Sequence, residues 1–72
     1  MDWNTAKRML ASGGPVRRAG MERGHYLEAD YDGEQHNVDG ESFDIHRYAA
    51  DGTDLGVFDP SEQDENAEWL EL

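Results

Sequence analysis

The stretch SFDIHRYAADGTDLGVFD, residues 42–59, decides how this chain is built. Phe43 and Ile45 stand two residues apart with polar neighbours on either side, which is the period of a strand with one buried face. Asp51-Gly52 is a tight-turn dipeptide, and Leu55 and Val57 resume the same period beyond it, so the stretch predicts a β-hairpin. Upstream, HYLEADY at 25–31 sets Leu27, Ala29 and Tyr31 on one face against Tyr26, Glu28 and Asp30 on the other, and VRRAGM at 16–21 gives a further short extended segment.

Between these strands lies DYDGEQHNVDGE, residues 30–41. Its Asp30, Asp32, Glu34 and Glu41 fall at the first, third, fifth and twelfth positions of a calcium-binding helix-loop-helix. The sixth position of that motif requires Gly for its sharp turn and here is Gln35, and the ninth is Val38, which has no side-chain oxygen. The flanks carry strand period where the motif needs two helices. The segment is therefore expected to be a loop between two strands, turning at Asp32-Gly33 and Asp39-Gly40, with carboxylates that act through charge and hold no metal.

The ends of the chain read differently. WNTAKRMLASGGP, 3–15, predicts a helix of about two turns: Asn4 serves as N-cap, Ala6, Met9 and Leu10 share a face, and Trp3 folds back from outside. Gly13, Gly14 and Pro15 stop it. PSEQDENAEW, 60–69, opens with Ser61 three residues before Asp64, an acidic capping box, and predicts a helical turn before Trp69, Leu70 and Leu72 run out as a terminal strand. The expected fold is α+β: residues 1–72 as a single domain, a small antiparallel β-sheet with one N-terminal helix packed on it and a short C-terminal helical turn.

Charge is distributed unevenly. Residues 1–23 hold five basic against two acidic residues, +3, while residues 24–72 hold Arg47 against fifteen acidic residues, −14, giving the net −11. Such a surface repels nucleic acid and anionic membranes and attracts basic protein surfaces; the same acidity also serves solubility or adaptation to high salt. With no Cys there is no disulfide framework, so a chain of 72 residues has oligomerisation as a further source of burial. No run reaches the ~18 apolar residues of a membrane span, and MDWNTAKRML lacks the apolar core of a secretion signal; a cytoplasmic location is expected.

No catalytic set stands out. Ser42, Asp44 and His46 contain the residue types of a nucleophile triad, but such crowded strand positions are expected to point to opposite faces, and neither a glycine elbow nor an oxyanion loop accompanies them. His25, His36 and His46 are too far apart in sequence for a zinc motif. The chain is read as a non-enzyme without cofactors. Arg17-Arg18, joined by Arg23, is the one cationic cluster; adjacent strand residues diverge, so at most one of the pair faces inward. These arginines either pair with the chain's own acid or take an outside phosphate or carboxylate. Trp3 and Trp69 suit core closure and also suit an interface.

WNTAKRMLASGGPVRRAGM together with PSEQDENAEWLEL resembles a family of small phage proteins that includes Thoeris anti-defence proteins and relatives reported as anti-CRISPR proteins. Val16, Arg17, Arg18, Gly20, Pro60, Ser61, Asp64, Ala67 and Trp69 match its pattern at the two ends of the chain, with the middle unaligned. The chain departs from it at Met21, where the family has Trp, at Glu65 and Asn66, where it has two leucines, and in a shorter step from Asp64 to Trp69. The resemblance implies a small sheet with one helix, homo-oligomers, and, for the Thoeris inhibitors, capture of a cyclic nucleotide signal between subunits. Met21 removes a ring able to stack on a base.

Charge and resemblance together lead to the expectation of a phage-type inhibitor in the host cytoplasm, whose acidic surface mimics nucleic acid and blocks the basic DNA- or RNA-binding surface of a CRISPR-Cas effector. Glu28, Asp30, Asp32, Glu34, Asp39, Glu41 and Asp44 form the expected contact surface. In the alternative, a cyclic nucleotide sponge, Arg17 and Arg18 take phosphates while Trp3 and Trp69 frame the base.

Overall fold

A computed structural model describes residues 1–72. The order of elements is α1 (Trp3–Ala11), β1 (Val16–Arg18), β2 (Tyr26–Asp30), β3 (His36–Val38), β4 (Glu41–Tyr48), β5 (Asp54–Val57), α2 (Glu62–Glu65) and β6 (Trp69–Glu71). All strand pairs are antiparallel, in the order β3-β4-β2-β1-β6, with β5 also paired to β4. The long β4 organises the sheet: Asp44 to Tyr48 pair with β2 along one side, while the other side is shared by β3 near its start and β5 near its end. The α+β class expected from the pattern is the class observed.

Helix α1 begins two residues earlier than the Asn4 cap predicts. Asp2 is the N-cap: its Oδ1 accepts from the Thr5 amide at 2.8 Å, and that bond holds its carboxyl below the usual range. The earlier start has a packing reason. It makes Trp3 a helix residue in line with Ala6 and Leu10, so three side chains enter the core at i, i+3 and i+7. Met9, expected on that face, lies half-buried at its edge. At the other end the Gly14 amide donates to Met9 O at 2.9 Å and the Gly13 amide to Leu10 O at 3.0 Å, with Gly13 at φ 92, a left-handed cap that satisfies two free carbonyls. The Tyr31 hydroxyl donates to Leu10 O at 3.0 Å and caps the helix from β2's far end.

Eight side chains form the core: Trp3, Ala6 and Leu10 from the helix, and Val16, Leu27, Phe43, Ile45 and Trp69 from β1, β2, β4 and β6. Trp3 and Trp69 lie 4.8 Å apart between ring centroids, and Phe58 meets Trp69 edge-on at 6.3 Å. The Trp69 indole N–H donates to Asp64 O at 2.8 Å, so the wide apolar ring is buried without stranding its donor. Tyr31, placed on the buried face by alternation, is half-exposed because it follows the end of β2.

Two features of the middle segment differ from expectation. Residues 30–41 are not one loop: His36–Val38 forms β3 against β4, with His36 opposite Phe43 and Val38 opposite Glu41. Three residues without regular hydrophobic alternation give no local signal, and β4 templates the pairing. In β5 the step from Asp54 to Val57 spans three residues where β4 steps two, from Tyr48 to His46, and Gly56 takes φ 103 within the extra residue. This bulge breaks the shared phase of Leu55 and Val57, which stay 50% and 51% exposed instead of joining the core.

The Asp39-Gly40 turn is as the sequence predicts. Both residues have positive φ, 53 and 85, the requirement of a two-residue type I′ hairpin. Gly40 is open to solvent, so a methyl group there meets no neighbour and acts only through the backbone. Gly40→Ala is expected to destabilise the fold by about 1–2 kcal/mol, the cost of an L-residue in left-handed conformation. Thermal denaturation should show a midpoint lower by roughly 5–15 °C; an unchanged midpoint would contradict this turn geometry.

Candidate functional site

The helix covers one face of the sheet and leaves the other open. On β2 the alternation that buries Leu27 sends Tyr26, Glu28 and Asp30 outward, and the register sets them opposite Tyr48, His46 and Asp44 of β4. On β5, Asp54 stands opposite Tyr48 and Val57 opposite His46. Tyr26 and Tyr48 stack across the strands, with centroids 5.4 Å apart and planes at 16°, and His46 extends the stack at 6.4 Å from Tyr48. An aromatic strip thus spans β2 and β4, with carboxylates of β2, β4 and β5 along it.

His46 is gripped from both sides. Its Nε2 lies 3.3 Å from Asp30 Oδ2 and its Nδ1 2.9 Å from Asp54 Oδ2. Asp54 also accepts from the Gly56 amide at 2.8 Å; that bond first, and His46 second, hold its carboxyl below the usual range. Burial pushes the Tyr48 phenol up, and the carboxylates of Asp54, Glu28 and Asp30 add to the effect. Ser42, Asp44 and His46 do share this open face, since they alternate along β4; the expectation that they diverge is corrected. They do not assemble a triad: Asn37 donates to Ser42 at 3.0 Å, Asp44 accepts from the Gln35 amide at 2.9 Å, and His46 is held by Asp30 and Asp54.

The seven expected contact carboxylates fall into three groups. Glu28, Asp30 and Asp44 lie on the open face, Asp32 and Glu34 on the β2–β3 connection, and Asp39 and Glu41 at the tip of the β3–β4 hairpin. Asp44 packs so tightly against Gly33 that a side chain at 33 would overlap its carboxylate. Asp54, on the edge strand β5 of the open face, lies outside the set the sequence singled out. The signal for it was the register across the Asp51-Gly52 hairpin, and the β5 bulge hides that register from simple alternation.

The residues of the alternative site do not come together. Arg18 faces the core side and pairs with Asp64, while Arg17 points to the other side and donates to Met21 O at 3.3 Å. Burial works against ionised Asp64, and hydrogen bonds from Ser61 with the charge of Arg18 outweigh it, so the carboxyl is held low. Ser61 and Asp64 complete the predicted capping box of α2. Trp3 and Trp69 are 5% and 0% exposed, in contact with each other, and neither ring has a face open to a base.

Arg18–Asp64 is the one ion pair between a guanidinium and a carboxylate; the N-terminus meets Glu68, and His25 and His46 meet Glu22, Asp30 and Asp54. No three His, Asp or Glu side chains are grouped so as to hold a metal ion, and no helix is long and apolar enough to cross a membrane. No family model, curated protein or solved structure matches the chain.

His36, on β3 beneath α1, stacks on Phe43 at 5.9 Å and leaves its buried Nε2 without a hydrogen-bond partner. Desolvation first, then Lys7 of α1, lower its pKa from the ordinary 6.5, against the opposing charges of Asp44 and Asp59. The unfolded chain therefore takes up this proton before the folded one does, and the contribution of His36 is complete above about pH 6.5 and lost as pH falls below it. His36→Phe keeps the stack and removes the proton site. Between pH 7.5 and 5.5 the melting temperature of the native sequence should fall more than that of the variant; equal falls would show that His36 protonates freely in the fold.

Proposed function

We propose that this chain is a non-enzymatic inhibitor that covers the basic DNA- or RNA-binding surface of a host defence complex, with a CRISPR-Cas effector as the target class. The observation that carries the reading is the unspent negative charge: seventeen acidic residues, of which only Asp64 is neutralised by a guanidinium. Carboxylates two apart on a strand recur at about 6.6–6.8 Å, and Glu28 and Asp30 lie on β2 in that spacing beside Asp44 on β4. An array of exposed anions on a rigid sheet presents a cationic groove with what a polynucleotide backbone presents, charges at fixed intervals. Opposite fields hasten encounter and penalise wrong partners, and added salt weakens both. The resemblance to small phage counter-defence proteins gives the reading its biological setting in a bacterial cytoplasm.

Capture of a cyclic nucleotide has no observation in its favour, since Trp3 and Trp69 are closed in the core and Arg18 is engaged. It enters as an outcome of the test. Target-DNA binding by a CRISPR-Cas effector is followed by gel shift as the protein is added. The native protein is expected to displace DNA, less well as salt rises. Neutralising Glu28, Asp30, Asp32, Glu34, Asp39, Glu41 and Asp44 to Asn or Gln should weaken this by at least tenfold, about 1.4 kcal/mol. Neutralising Glu22, Asp51, Asp59, Glu62, Glu65, Glu68 and Glu71, for the same change in charge, should weaken it much less. Equal losses would reduce the effect to net charge, and calorimetric heat with a cyclic nucleotide but no effect on the effector would favour the sponge.

A further inference from the structure

We infer that the docking surface is the open face of the sheet centred on the Tyr26–Tyr48 stack, and that its occupant is an arginine-rich segment of a partner protein. The inference rests on the proposed reading that the chain engages a basic partner, and it names the place and the chemistry of contact. Both helices meet the sheet through side chains of the opposite face, α1 through Trp3, Ala6 and Leu10 and α2 through Arg18 and Trp69, so neither helix lies over Tyr26, Glu28, Tyr48 or Asp54.

The stacked rings offer an apolar platform with negative π-faces, and the carboxylates of Glu28, Asp30 and Asp54 stand around it. A guanidinium fits both parts at once: its plane lies on a tyrosine ring while its edge N–H groups donate to a carboxylate. An ammonium is a more strongly hydrated point charge and gains less from the ring. Asp30 and Asp54 hold His46 and accept from the Asp32 and Gly56 amides, yet keep 37% and 50% of their side-chain surface, so each retains lone pairs for an outside donor. Asp32 shares a surface pocket with Asp30 and Tyr48, whereas Glu34, Asp39 and Glu41 supply field more than contact.

Charge decides among the other occupants. Nucleic acid is repelled by Glu28, Asp30 and Asp54. A second copy placed face to face would set the same three carboxylates against themselves, with only Arg17, already donating to Met21 O, to offset them, and like-charge contact disfavours it. With three carboxylates against one guanidinium, a basic partner gains most from the arrangement.

The test uses fluorescein-labelled nona-arginine and nona-lysine, with anisotropy read at 150 mM salt. The native protein should bind nona-arginine about two- to fivefold more tightly than nona-lysine, the range of an exposed cation–π contact. Glu28→Gln with Asp54→Asn should weaken nona-arginine binding about tenfold, while Glu34→Gln with Glu41→Gln, equal in charge, should weaken it less than about twofold. Tyr48→Leu should remove the preference for arginine. Equal effects of the two pairs, or no preference for arginine in the native protein, overturn the inference; if Tyr48→Leu fails to fold, Glu28→Gln alone, at an exposed site, still decides between face and loop. Sedimentation showing a dimer whose assembly is abolished by Glu28→Gln would also overturn it. The same pairs in the effector gel shift separate the two ideas: displacement lost only with the loop pair overturns this surface and leaves the inhibitor reading, whereas peptide binding mapped to the face with an unresponsive effector leaves the surface and removes that reading.

Discussion

The contact between Trp3 and Trp69, 4.8 Å between ring centroids, is what the rest of the structure depends on. It joins the first turn of the N-terminal helix to the last strand, and both rings are buried where α1 crosses the sheet. The backbone reinforces the closure: the Trp69 amide donates to Met1 O at 2.8 Å. A domain with eight buried residues has little apolar surface to spare, so aromatic rings that bury wide area at a modest loss of side-chain freedom dominate its core. The early start of the helix, the orientation of Arg18 and the position of α2 are arranged around these rings.

One helix against a six-stranded sheet covers one face only. The consequence runs from packing to function. Every strand that sends one residue to the core sends the next to the other face; on β2, β4 and β5 these are mainly tyrosines, a histidine and carboxylates, with Ser42 and Val57 beside them, while β1 and β6 place Arg17 and Leu70 there. The open face is held in register by the same strand pairing that forms the core. Its carboxylates make internal contacts with His46 and with the Asp32, Gln35 and Gly56 amides, and of the chain's carboxylates only Asp64 meets a guanidinium, so most of the acid is left without a cationic partner.

How far the sequence could be read depended on the kind of signal. The β4–β5 hairpin, β2, the Asp39-Gly40 turn and the Ser61–Asp64 capping box rest on local chemistry, and each is found where the pattern placed it. The pattern places the cap at Asn4 and the fold places it at Asp2, because both are good caps and only the burial of Trp3 chooses between them. Strand β3 and the β5 bulge leave no local signal because both are imposed by the neighbouring β4, a contact that single-segment periodicity does not contain. Among the candidate site residues, Glu28, Asp30 and Asp44 were seen as acidic strand residues, whereas Asp54 joins them only through the bulged register.

By itself the sequence determined the class of fold, the turns, the caps and the sign and size of the charge, since each of these is a property of residues a few positions apart or of the whole composition. The tertiary structure alone decided that Tyr26 stacks on Tyr48, that Asp30 and Asp54 close on His46 from two strands, and that both tryptophans are interior. Those facts follow from register and from which face the helix covers. Both are settled by contacts between residues far apart in the chain, where one residue of slip would send every side chain to the other face.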